Sequence, residues 1–205
     1  MTSEAPCSDH VISRLETESW VTVDDFIDRA LVASLIEDIT RREQAGLFRS
    51  AGIGAGGGRI ERRAVRGDRI SWLTLAATAS ERVVLSLFEA LRRQLNETLL
   101  LGLHDLESHF AIYDPGSRYV RHLDRSAQGA ERVVSVVLYL NPGWTASQGG
   151  ELLLYPAGGE IRVEPIAGRL VAFLSEQIEH EVCVSQVMRR SLTGWFRRRP
   201  VLPLG

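Results

Sequence analysis

Beyond residue 106 the chain repeats one pattern: a short alternating apolar run, a turn signal, then another run. Period-two alternation marks strands predicted over 107–113, 119–124, 132–140, 151–155, 161–163, 169–174, 181–184 and 190–196. Between them stand Asp114-Pro115-Gly116, Asn141-Pro142-Gly143 and Gly149-Gly150, residues that favour tight turns. Many short strands joined this way fold into a β-sandwich or jelly roll. His109, Ala111 and Tyr113 fall on one face of the first run, with Phe110 and Ile112 on the other.

The first hundred residues read differently. A short helix is predicted over 9–16 and a strand over 20–23. Asp24 or Asp25 is then placed to cap a helix. Its apolar stripe is Phe26, Ile27, Leu31, Leu35, Ile36 and Ile39. A second helix is predicted over 80–101, with Val84, Phe88, Leu91, Leu95 and Leu99 at helical spacing and Gly102 as its terminator. Both helices are expected to brace the outer face of the β layers. Residues 46–58 are glycine-rich, and Arg59, Arg62, Arg63, Arg66 and Arg69 follow. The strand, glycine turn and helix of a dinucleotide site do not occur in that order, and no phosphate-binding Gly-Lys-Ser/Thr is present. The segment reads as a solvated loop or a mobile cover. Residues 1–8 read as a loose leader and the last residues as a short tail. With no linker apparent, residues 1–205 are expected to form one domain.

Charge and cysteine content narrow the function classes. The formal charge is −2, which gives no reason to expect nucleic-acid binding. No apolar stretch is long enough to span a bilayer, and no secretory signal is apparent, so no membrane association is expected. Two cysteines make no disulfide framework, and a reduced, cytoplasmic setting is the simpler reading. Cys183 reads as a packed strand residue.

The chemistry-bearing residues lie in the predicted strands. His122 and Asp124 are two apart, so an extended backbone puts both on one face. His180 is the candidate third ligand. Two imidazoles and a carboxylate leave positions open on an iron ion, although zinc and other metals accept similar sets. Arg189, Ser191, Thr193 and Trp195 share one strand phase, and a guanidinium on that face can hold a carboxylate. Arg190 competes with Arg189 if the strand carries a bulge. Read singly, each histidine can be a buried hydrogen-bonding residue and Asp124 a turn cap.

Together and in order, several blocks resemble the non-haem iron, 2-oxoglutarate-dependent dioxygenases. They are similar above all to the prolyl hydroxylases related to the oxygen-sensing enzymes and to their bacterial counterparts. The blocks are Tyr113-Asp114-Pro115-Gly116, Tyr119-Val120-Arg121-His122-Leu123-Asp124, Tyr139-Leu140-Asn141, Gly149-Gly150-Glu151-Leu152, His180-Glu181-Val182 and Ser191-Leu192-Thr193-Gly194-Trp195-Phe196. Arg66-Gly67-Asp68-Arg69-Ile70-Ser71-Trp72 adds a match outside them. The resemblance implies a mainly β fold, a double-stranded β-helix (jelly roll), with supporting N-terminal helices. It implies Fe(II) on His122, Asp124 and His180, with 2-oxoglutarate and O2 as cosubstrates and ascorbate as a supporting reductant. Arg189 would meet the distal carboxylate, with Tyr139 beside it and Tyr113, Thr193 and Trp195 lining the pocket. Substrate contacts are implied at Arg66, Asp68, Arg121 and Arg125. The expected reaction is hydroxylation of a prolyl residue in a protein or peptide, elongation factor Tu among the candidates. A free amino acid or small metabolite is the alternative substrate, and a non-catalytic β-domain that binds proteins is the alternative to an enzyme.

Overall fold

A computed structural model describes residues 8–52, 65–73, 78–124 and 131–199. The leader, most of the glycine-rich and arginine-rich segment, Arg125 and the C-terminal tail lie outside those residues. The elements in chain order are α1 (Ser8–Glu18), β1 (Trp20–Val23), α2 (Arg29–Gln44), β2 (Arg49–Ser50), β3 (Asp68–Trp72), α3 (Ala79–Leu99), β4 (Leu103–Tyr113), β5 (Tyr119–His122), β6 (Glu131–Tyr139), β7 (Leu152–Tyr155), β8 (Ile161–Val163), β9 (Leu170–Leu174), β10 (Glu179–Val182) and β11 (Arg189–Arg198).

Two antiparallel sheets form the jelly roll. The larger runs β1-β9-β6-β11-β4-β3-β2 and the smaller β5-β10-β7-β8. Alternation divides β4, β6 and β9 of the larger sheet between two apolar clusters. Phe110, Ile112, Val134, Val136, Leu138, Leu192 and Phe196 face the helices, where Leu15, Leu35, Ile39, Val84, Phe88 and Leu95 meet them. Ala111, Tyr113, Val137, Tyr139, Val171 and Phe173 face the smaller sheet and pack with Leu152, Leu154, Val163 and Val182. A one-residue slip in any of these strands would exchange the two faces, so burial on both sides fixes the register.

The helices differ from the sequence expectation at their ends. Asp28, not Asp24 or Asp25, caps α2, its side chain accepting from the Leu31 N–H. Asp24 is instead taken by Arg169, and Asp25 sits at φ +52° in the turn before the helix. Phe26 and Ile27 therefore precede α2, yet both are buried. Thr78 and Glu81 form a reciprocal capping box on α3. The buried Glu81 carboxylate also takes two hydrogen bonds from Arg42, which ties α2 to α3. At its other end α3 stops on Leu100, in the left-handed region at φ +52°, two residues before the expected Gly102. No helix among the described residues is long and apolar enough to cross a membrane.

Candidate active site

His122 and His180 are direct partners in the smaller sheet, one closing β5 and the other inside β10. This pairing brings together two residues far apart in the chain. Each imidazole is held by its own strand: His122 Nδ1 lies 2.8 Å from the Val120 carbonyl and His180 Nδ1 3.2 Å from that of Ile178. A carbonyl only accepts, so both Nδ1 atoms carry a proton, and the tautomer this selects leaves Nε2 as the ligating nitrogen. Asp124 does not share a strand with His122, because β5 ends at His122. It turns inward one step later. Its two oxygens stand 3.6 Å from His122 Nε2 and 3.6 Å from His180 Nε2.

The three potential ligand atoms lie within 4.8 Å of one another. That separation is too long for direct hydrogen bonds at the two imidazole–carboxylate contacts, and suited to a cation between them. The donor set fits iron(II): two imidazoles and one carboxylate. Burial pushes the His180 imidazolium down to about 4, against the opposing pull of Asp124, so the ring is neutral and ready to ligate at pH 7. Burial works against the Asp124 charge too. His180, protonated in the acid range where a carboxyl titrates, outweighs it together with His122 and the Trp195 indole N–H, and the carboxyl is held well below its usual range.

Around this triad is a cavity of about 500 Å³, its mouth included. The inner face of the larger sheet supplies its floor in register. Tyr113 pairs with Arg189, Ala111 with Ser191, and His109 with Thr193 across β4 and β11. Arg189 lines the cavity and is 1% exposed, whereas Arg190 faces the other way and uses its backbone on Asn141. The register shift in β11 falls beyond Phe196 and leaves the Arg189–Trp195 phase intact. The Arg189 guanidinium lies 5.0 Å from the ring centroids of Tyr113 and Tyr139, and its Nε donates to the Gly150 carbonyl. No described residue pairs a carboxylate with it. The Tyr139 hydroxyl beside it is buried without a hydrogen-bond partner. A buried cation and an unpartnered phenol together form a receptor for an incoming anion.

The other expected residues fall into two groups. Arg66 and Asp68 line the cavity but bind each other through two hydrogen bonds of 2.7 and 3.0 Å, and Arg66 lies 4.8 Å from the Tyr119 ring centroid. Tyr119 in turn stacks on His122 with centroids 3.6 Å apart. Arg121 points away from the cavity, pairing with Glu179 and lying 3.8 Å from the Tyr155 ring centroid. Arg125 lies outside the described residues. Trp195 does more than wall the pocket, since its Nε1–H donates to Asp124 Oδ2 at 2.8 Å. Cys183 sits just past β10, partly exposed, rather than inside a strand. The sequence pattern sets His109 on one strand face with Ala111 and Tyr113 and assigns it no site, and that face proves to line the cavity. Its ring lies between Trp72 and Trp195, with Nδ1 buried and unpartnered.

A jelly roll with a two-histidine, one-carboxylate centre at one end defines a class of metal-dependent oxygenases. Comparison with known proteins agrees. Residues 108–197 match the 2OG-Fe(II) oxygenase superfamily. A crystal structure of a Pseudomonas putida prolyl-4-hydroxylase shares 41% identity and superposes with a TM-score of 0.86, covering 95% of this chain and all of that one. A Trichoplax adhaerens prolyl hydroxylase, solved with a hypoxia-inducible factor peptide fragment, is 27% identical with a TM-score of 0.83, covering 92% and 88% of the two chains. Prolyl hydroxylase EGLN3 of Homo sapiens is 27% identical over 199 residues, which is 92% of this chain and 82% of that protein. The chain belongs to the 2OG-Fe(II) oxygenase superfamily, as a prolyl hydroxylase-like member.

Proposed function

We propose that this chain hydroxylates prolyl residues of a protein or peptide, using Fe(II), 2-oxoglutarate and dioxygen. The observation that carries the reading is the joint presence, in one cavity, of the triad and of a buried arginine with no carboxylate partner among the described residues. Bound iron supplies the oxidising chemistry: 2-oxoglutarate becomes succinate and carbon dioxide while one oxygen atom enters a substrate C–H bond.

The chain's own residues bind, orient and exclude water. His122, Asp124 and His180 would hold the metal. Arg189 receives the distal carboxylate, to which the Tyr139 hydroxyl donates, and Thr193 adds a hydroxyl on the same strand face. Phe173, Val137, Leu152 and Val182 give the cavity apolar walls, so the charges inside act in a poorly solvated space. Tyr119, stacked on His122, limits where a substrate ring can sit.

A second concavity supports a polymeric substrate. It is lined by Ser50, Gly67, Arg69, Asp114 and Ser117, and it shares Arg66 and Asp68 with the metal cavity. A concavity adjoining the metal cavity across Arg66 and Asp68 suits an extended chain better than a free amino acid. Elongation factor Tu is the protein substrate we would test first, and the cytoplasm is the setting we propose, on the sparse cysteine content.

The deciding assay adds the enzyme, Fe(II) and 2-oxoglutarate to host lysate and maps products on peptides and metabolites in parallel. Gain of one oxygen atom on proline, absent with His122→Ala or His180→Ala, is the expected result. Enzyme-dependent modification confined to a small metabolite would overturn the substrate reading. Absence of any 2-oxoglutarate turnover by the folded, iron-loaded protein would overturn the enzyme reading.

A further inference from the structure

Asp124 is the one ligand of the triad outside a strand, and no described residue of its own segment holds its side chain as the strand carbonyls hold the two imidazoles. The larger sheet does this instead. Oδ2 accepts from Ser135 Oγ at 2.8 Å and from Trp195 Nε1 at 2.8 Å. Ser135 and Trp195 are direct partners on β6 and β11, so the two donors stand side by side on one sheet face.

The direction of these bonds follows from proton counting. A carboxylate that ligates a metal brings no proton, so with Asp124 in that role Ser135 donates its only hydroxyl proton to it. Ser135 Oγ also lies 2.9 Å from Ser175 Oγ. With the Ser135 proton committed, Ser175 has to be the donor in that contact. Ser135 and Ser175 are both 0% exposed, where water cannot replace either bond. The result is a directed chain: Ser175 to Ser135 to Asp124 Oδ2.

The chain has a consequence for ligation. A carboxylate oxygen has two in-plane lone pairs, and Oδ2 already accepts two hydrogen bonds. Among the described residues Oδ1 accepts no hydrogen bond within 3.5 Å, and faces His122 Nε2 at 3.6 Å. We infer that Ser135 and Ser175, with Trp195, are positioning residues that present Asp124 to the metal through Oδ1 alone. This rests on the reading of His122, Asp124 and His180 as the metal centre. Outer hydrogen bonds of this kind orient ligands and tune metal affinity.

The test uses the full chain with Mn(II), an ion that needs no oxygen-free handling, and Co(II), whose visible bands report ligand geometry. Metal affinity is read by competition with a chelator, and unfolding of the metal-free protein is read separately. For Ser135→Ala the expected result is a Mn(II) dissociation constant raised about tenfold or more, with altered Co(II) bands. Ser135→Thr keeps the hydroxyl and should restore both. Ser175→Ala, which frees the Ser135 proton to turn away, should weaken binding several-fold less than Ser135→Ala. If both serines only fill the core, Ser135→Ala will lower metal-free stability while Mn(II) affinity and Co(II) bands stay as in the wild type, and the inference is overturned. Should Ser135→Ala not fold, wild-type affinity and spectrum in Ser175→Ala overturn it equally. A wild-type protein that binds no Mn(II) would overturn the metal-centre reading itself, a result distinct from either.

Discussion

Replacing Arg189 by methionine should make the free protein more stable and, in the same step, deaf to 2-oxoglutarate. Arg189 is 1% exposed, and its one described side-chain hydrogen bond runs from Nε to the Gly150 carbonyl. Among the described residues its charge is otherwise met by the faces of Tyr113 and Tyr139. Methionine has a similar reach, and its sulfur packs well against aromatic rings. Exchanging buried charged groups for apolar side chains of similar volume is often neutral or stabilises by about 1–4 kcal/mol. At about 2–4 °C per kcal/mol for a chain of 205 residues, a gain of about 1–2 kcal/mol raises the melting temperature by about 2–8 °C. The ligand works the other way. In the wild type loaded with Mn(II), 2-oxoglutarate at a hundred times its Kd adds about 2.7 kcal/mol, or about 5–10 °C. The variant should show none of that shift at the same concentration. Calorimetry on four samples, each protein with and without 2-oxoglutarate, decides the matter. A variant clearly less stable than the wild type without ligand would show that the guanidinium is structural. A preserved ligand shift would show that the carboxylate binds elsewhere.

Three further outcomes are expected. Burial lowers the His109 imidazole to about 3, so it stays neutral when folded but protonates near 6.5 when unfolded. The unfolded state therefore binds the extra proton as pH falls through 6.5, and stability should drop by about 1.4 kcal/mol per pH unit down to the folded value. Denaturant titrations of wild type and His109→Phe between pH 4 and 7 test this, since equal slopes would show that other groups carry the dependence. Gly150 sits at φ +68°, and an added Cβ would meet Ser185 Oγ at 2.9 Å and Arg189 Cδ at 3.2 Å. Gly150→Ala should raise the 2-oxoglutarate concentration needed by about tenfold, or 1.4 kcal/mol, and unchanged binding would mean that the turn can give way. Phe196→Ala, on the helix-facing side of β11, should cost about 3–5 kcal/mol in urea unfolding while leaving Mn(II) and 2-oxoglutarate affinity of the folded fraction unaltered.

The larger features were legible because they depend on local period. Alternation along β11 selects Arg189 over Arg190 without a structure, and the only register shifts lie at its far end. The helix cap was not legible in the same way. Asp24, Asp25 and Asp28 have equal capping chemistry, and the choice falls to Arg169, which engages the first, and to the turn that puts the second at positive φ. β2, two residues long, has too few positions to show any period. Asp124 was assigned the right neighbours for an incomplete reason, since it leaves the strand and is held from the opposite sheet. Ser135 and Ser175 are invisible to motif reading. They lie 40 positions apart and meet only because β6 pairs with β9.

The division of the site between two sheets makes the fold a calliper. The histidines belong to the smaller sheet, while Arg189 projects from the larger one. The gap between the jaws is set by side chains that touch neither end of a ligand: Val137, Val171 and Phe173 from one sheet, Leu152, Leu154 and Val182 from the other. A diacid must span that gap to reach arginine and metal at once. The length of acid accepted is therefore written in the thickness of an apolar core, and enlarging or trimming those six side chains is a way to retune cosubstrate choice without altering a polar contact.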